Sequence, residues 1–85
     1  MQNVEFWYKF SMLSRTKFTE IVGANVKKIR QEQGLTQEDV CAKAGFYRSY
    51  LNLVEKAKRM PSSYSLYKLA KALGVEVDRL YPTTV

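Results

Sequence analysis

From Val22 onward the apolar positions recur at helical intervals. Val22, Val26 and Ile29 line one side of a segment whose other side carries Lys27, Lys28, Arg30 and Gln31. Gly34 stands where a left-handed residue closes a helix, so the pattern predicts a first helix over residues 22–33. The next stretch, "LTQEDVCAKAG", opens with Thr36-x-x-Asp39, a spacing that lets two side chains satisfy backbone N–H groups at a helix start, and closes at Gly45. A third helix is expected from about Tyr47 to Lys56, with Leu51 and Val54 inward, Tyr47 or Tyr50 completing that stripe, and Arg48, Ser49 and Asn52 on the opposite face. Pro61 ends this element, and Ser62 and Ser63 cap a fourth, in which Leu66, Leu69, Ala70 and Leu73 follow i, i+3, i+4, i+7 up to Gly74. Val77, Leu80 and Tyr81 make a last short apolar turn before Pro82. No alternation of period two is long enough for a strand, so the expected fold is all-α, a compact domain of about five short helices. Its expected core is Val22, Val26, Ile29, Leu35, Val40, Leu51, Val54, Leu66, Leu69, Leu73 and Leu80.

Residues 1–20 do not share this periodicity. "VEFWYKFSML" is too apolar for a free tail and too irregular to assign to helix or strand. Two readings stand: a flexible extension, with Met12 as an alternative start, or an added element packed on the core or on a second subunit. The expected organisation is therefore an extension, residues 1–20, followed by one folded domain, residues 21–85.

Composition narrows the chemistry. A length of 85 residues suits one small domain, and with Cys41 the single cysteine and no histidine, the chain lacks an internal disulfide, the usual metal ligands and the usual catalytic base. There is no glycine-rich phosphate loop, and the adjacent carboxylates Glu38 and Asp39 fit a helix start, where negative charge is favoured. No enzyme activity, metal or cofactor is expected. Apolar runs are short, and Glu5 and Lys9 interrupt the N-terminal aromatic cluster, which points to a cytoplasmic protein without a signal peptide or membrane span.

The net charge of +6 is uneven. Lys43, Arg48, Lys56, Lys58 and Arg59 gather around the third helix against a single anion there, Glu55, whereas residues 61–85 are nearly balanced. Such a patch favours a nucleic-acid partner over a merely solvated basic surface.

The spacing from Gln37 to Lys56 separates these alternatives. Cys41 comes four residues after Gln37, Gly45 four after that, and Leu51 and Val54 follow at six and nine beyond the glycine. Two helices crossing steeply need a small side chain on the first, a glycine at the turn and two core anchors on the second, and all are present. Together with "VKKIRQEQGLTQEDVCAKAG", "YRSYLNLVEK", Pro61 and "LYKLAKALGVEVDRLY", this resembles the helix-turn-helix domains of the phage repressor and Cro type, the XRE family, over about residues 22–81. Within that family, "RSY" at 48–50 and the small size resemble the controller proteins of restriction-modification systems.

The resemblance implies a lambda-repressor-like domain that regulates transcription, commonly as a repressor, by binding a palindromic operator as a homodimer. It makes the helix 47–56 the recognition helix of the major groove. Arg48 is then the principal base reader, able to donate two hydrogen bonds to guanine. Ser49 and Asn52 share its face, Tyr47 is placed with it, and Leu53 is either a contact for a thymine methyl or a lone surface leucine. Gln37 matches the family position that grips a phosphate, with Tyr50, Lys43, Lys56, Lys58 and Arg59 along the same backbone. Arg30 and Glu55 match a structural salt bridge between the first and third helices, and Cys41 takes the place of a packed alanine. Val75, Val77, Leu80 and Tyr81 are the expected dimer surface. Two residues depart from the family pattern: Ala57, where glycine is common, and Ser63, where an apolar residue often begins the fourth helix. RNA polymerase is a further expected partner. The competing function is an antitoxin-like interaction module that uses residues 1–20 to bind a toxin-like protein.

Overall fold

The computed structural model describes residues 13–83. Helix α1 (Arg15–Glu32) begins well before Val22. Its start is set by Ser14, whose hydroxyl accepts from the Lys17 N–H at 3.0 Å. The first turns contain little apolar surface beyond Phe18, and Thr19 is buried in their place, its hydroxyl donating to the Arg15 carbonyl at 2.8 Å. Residues 15–20 of the expected extension are therefore helical, while residues 1–12, including the aromatic cluster, lie outside the described residues.

Helix α2 (Gln37–Ala44) starts with the reciprocal cap expected from its sequence. Asp39 N–H donates to Thr36 Oγ1 at 3.0 Å, and Thr36 N–H to Asp39 Oδ2 at 2.8 Å, an arrangement that holds the Asp39 carboxyl below its ordinary pKa. The helix ends at Gly45 with φ 76°. An added Cβ there would come near only the flexible end of Lys68, at 3.9 Å, so the left-handed backbone requires this glycine, whereas the sequence suggested a close approach of helices.

Helix α3 (Arg48–Glu55) follows after Phe46 and Tyr47, and helix α4 (Ser63–Leu73) is capped by the Ser62 hydroxyl, which accepts from Ser65 N–H at 3.1 Å. Ser63 is exposed at the first position of α4, and the buried pair at this end is Pro61 and Leu66, one on each side of the cap. The chain then makes a single 3-10 turn, Val77–Leu80. The described residues thus form four α-helices and one 3-10 turn, with no strand, in place of the five helices expected. The last segment is too short, and too close to Pro82, to continue as an α-helix.

Helix α1 packs on α3 and on the terminal turn, and α2 packs on α3 and α4. Between them lie Val22, Val26, Ile29, Val40, Leu51, Val54, Leu66, Leu69, Leu73 and Leu80, joined by Cys41, Ala44 and Ala70. Leu35 sits at the rim, half-buried. Burial raises the Cys41 thiol pKa, which leaves it a packed apolar group. Leu80, expected on a dimer surface, is 0% exposed and belongs to the core of its own chain. Asn25 holds the turn there by donating to the Leu80 carbonyl at 3.1 Å.

The close approach of helices falls at Gly23. A Cβ on Gly23 would overlap the Val54 carbonyl oxygen and sit 3.2 Å from that of Glu55, so α1 touches the backbone of α3 directly. This contact fixes how far α3 stands out from the body of the domain.

Candidate nucleic-acid interface

The geometry of α3 follows from one set of side chains being enclosed. Leu51 and Val54 are 0% and 1% exposed, and by helical periodicity Ser49, Asn52 and Leu53 then fall on other faces, while Arg48, one turn before Leu51, flanks the enclosed stripe at the helix start. Arg48, Ser49 and Leu53 are exposed, Asn52 is half-buried, and Tyr47, the residue before the helix, is 84% exposed.

Behind this surface is a polar network that joins three helices. Glu55 accepts two hydrogen bonds from Arg30, at 2.7 Å from Nε and 3.0 Å from Nη2, with 3% of its side chain exposed. Arg30 also donates from Nη1 to the Leu35 carbonyl at 2.9 Å. The hydrogen bond to Glu55 raises the Arg30 pKa, so the guanidinium stays charged and cancels the carboxylate beneath the exposed face. A buried pair with its remaining polar atoms bonded avoids the penalty of an isolated buried charge, of several kcal/mol per ion in order of magnitude.

Gln37 carries the network outward. Its Nε2 donates to Glu55 Oε1 at 3.1 Å and lies 3.4 Å from Asn52 Oδ1, while its Oε1 accepts from Arg48 Nε at 3.2 Å. Arg48 Nε is also 3.1 Å from Glu38 Oε2. The structure therefore brings together Gln37, Arg48, Asn52, Arg30 and Glu55, and adds Glu38. Glu38 and Arg48 lie on different helices, and no periodicity in the chain connects them.

The far end of α3 is basic. Ala57 N–H donates to the Val54 carbonyl at 3.0 Å and Lys58 N–H to that of Leu53 at 2.8 Å, closing the helix through a left-handed residue, Ala57. Exposed Lys56, Lys58 and Arg59 surround this turn. The Arg59 guanidinium lies 5.7 Å from the ring of half-buried Tyr50, which itself packs on Phe46 at 5.0 Å, and a groove of about 410 Å³ runs past these residues to Ser62 at the start of α4. Arg15, expected to lie in the extension, lines a second cleft with Lys58 and Arg59. Lys43 is exposed on the last turn of α2.

Residues 26–80 match the helix-turn-helix (HTH_3) family model. The chain belongs to the helix-turn-helix family. Over 65 residues, 75% of this chain and 84% of the relative, it is 46% identical to the uncharacterized HTH-type transcriptional regulator y4dJ of Sinorhizobium fredii. It is 41% identical over 59 residues to the immunity repressor protein of Bacillus phage phi105, covering 69% of this chain and 41% of that protein. Among solved structures, the restriction-modification controller protein C.AhdI from Aeromonas hydrophila superposes with a TM-score of 0.71 at 34% identity, covering 73% of this chain and 94% of the other.

In this helix-turn-helix domain the two defining helices are α2 and α3, joined through Gly45. The residues expected on the dimer surface do not form one exposed face. Leu80 is enclosed, Val75 and Tyr81 are half-buried, Tyr81 packs on Phe18 at 5.7 Å, and Val77 is exposed. Among the described residues no helix is long and apolar enough to cross a membrane.

Proposed function

We propose that this helix-turn-helix protein is a sequence-specific transcriptional regulator that inserts α3 into the major groove of a palindromic operator as a homodimer. The observation that carries this reading is the division of α3 into two faces. Leu51, Val54 and the Gly23 contact hold it from behind, while Arg48, Ser49, Asn52, Leu53 and Tyr47 stay on the outer side. Arg48 and Asn52 supply the donors and acceptors that distinguish base edges, and Leu53 supplies an apolar contact for a thymine methyl. Neutralisation of Glu55 by Arg30 removes a charge that would repel phosphate. Lys56, Lys58, Arg59, Lys43 and Tyr50 serve the phosphate backbone, where their cations release counterions and contribute affinity without sequence preference. Gln37 serves there through its place at the start of α2, next to the free N–H groups of the helix end.

The relatives named as a transcriptional regulator, an immunity repressor and a controller protein support the same reading. Two-fold symmetry then places half-sites about one helical turn apart, with Val75, Val77 and Tyr81 at the subunit contact. Selection of bound sequences from a randomised duplex pool at about 150 mM salt, where exposed charges are screened beyond about 8 Å, tests it. A two-fold symmetric site is the expected result, and folded protein that enriches no motif overturns the proposal.

A further inference from the structure

Arg48 is tethered before any DNA arrives. Its Nε donates to Gln37 Oε1 at 3.2 Å, and Glu38 Oε2 lies 3.1 Å from the same nitrogen as an ion-pair contact. Among the described residues, neither terminal nitrogen of Arg48 donates to the protein. A guanidinium can pair with guanine O6 and N7 through Nη1 and Nη2, or through Nε and one Nη. We propose that Glu38 is the positioning residue of base recognition: its carboxylate, 3.1 Å from Nε, holds that end of the guanidinium by charge while Gln37 accepts the Nε–H, leaving the Nη1–Nη2 edge as the one that reads guanine. This inference rests on the assignment of α3 as the recognition helix.

Two features single out Glu38. Asp39, its neighbour, is committed to the cap with Thr36, so Glu38 is the carboxylate of this helix start that remains for another role. Its place in the first turn of α2 favours negative charge. The other tether, Gln37, is itself bonded to Glu55 and Asn52, so Arg48 is referenced to the buried ion pair.

The Glu38–Arg48 pair is largely exposed, with side chains 62% and 66% accessible, and such pairs add little to folding stability. Its contribution is to orientation. An untethered arginine on a DNA surface can swing to the nearest phosphate, which attracts it equally in every sequence. A carboxylate at Nε opposes that swing and is strengthened when DNA excludes water from the site.

The test compares wild type, Glu38→Ala, Glu38→Gln and Arg48→Ala as full chains, with folding verified by circular dichroism. For each, the base-preference profile and the affinity for the selected site and for an unrelated duplex are measured. Arg48→Ala identifies the base positions that Arg48 reads. At those positions Glu38→Ala and Glu38→Gln, which both remove the charge, are each expected to lose about fivefold or more of discrimination while binding the unrelated duplex more tightly. If both Glu38 variants strengthen binding to every duplex alike and leave the profile unchanged, Glu38 merely repels phosphate and the inference fails. A wild-type protein with no preferred site, or an unchanged profile for Arg48→Ala, overturns the assignment of α3 itself and this inference with it.

Discussion

Ala57 is the one non-glycine residue with positive φ, 58°, among those described. It lies at the turn that ends α3 and displays Lys56, Lys58 and Arg59, so a strained backbone sits at the base of the basic rim. The left-handed conformation costs a Cβ-bearing residue about 1–2 kcal/mol, whereas glycine there loses about 0.5–1 kcal/mol through its freer unfolded chain. Relief of strain outweighs that entropic loss. Ala57→Gly is expected to stabilise the domain by roughly 0.5–1 kcal/mol, read as a higher urea midpoint at unchanged slope. The departure from glycine is visible in the sequence, but two outcomes were open, a turn that avoids the left-handed region or one that accepts it. Backbone hydrogen bonds from Ala57 and Lys58 to α3 select the second.

The helices differ in how far their own residues declare them. The starts of α2 and α4 are each capped by a side chain within three residues, so Thr36 with Asp39 and Ser62 with Ser65 are local signals. The start of α1 is less legible because its first turns are mostly polar and Thr19, its buried residue there, meets Met60 from the turn after α3. Gly23 was legible as a residue and not as a contact. In an isolated helix Gly→Ala is favourable by about 0.8–1.0 kcal/mol, but here the added Cβ would meet backbone carbonyl oxygens of Val54 and Glu55, which have no rotamer by which to yield. Overpacking of about 1–3 kcal/mol therefore outweighs helix propensity, and Gly23→Ala is expected to lower stability by roughly 1–2 kcal/mol in chemical denaturation. Since the same contact seats α3, DNA affinity should fall with it.

Across the molecule, the distribution of apolar residues decides what can face a second subunit. Leu80 is used to close the core beneath α1, which leaves Val77 as the exposed member of the expected dimer set, with Val75 and Tyr81 half-covered. Val77 is 36% exposed, so a charge placed there keeps access to water. Val77→Asp is expected to shift the protein toward monomer in sedimentation and to weaken binding to a duplex with two half-sites by about tenfold or more, while single half-site affinity stays near wild type. Equal losses on both duplexes would instead place Val77 outside the subunit contact.

Features specified over a few neighbouring residues could be read directly from the chain. The caps of α2 and α4, the glycine after α2 and the apolar stripes that became the core all follow from hydrogen bonds and periodicities of that range. The two-faced character of α3 belongs with them. Which distant residues meet was set only by the packing of the helices: Gly23 against the carbonyls of α3, Leu80 within the core, Arg15 beside Lys58 and Arg59, and Glu38 on Arg48. A helix declares its faces through its own repeat, whereas the partner of each face depends on how separate helices cross and how closely their backbones can approach.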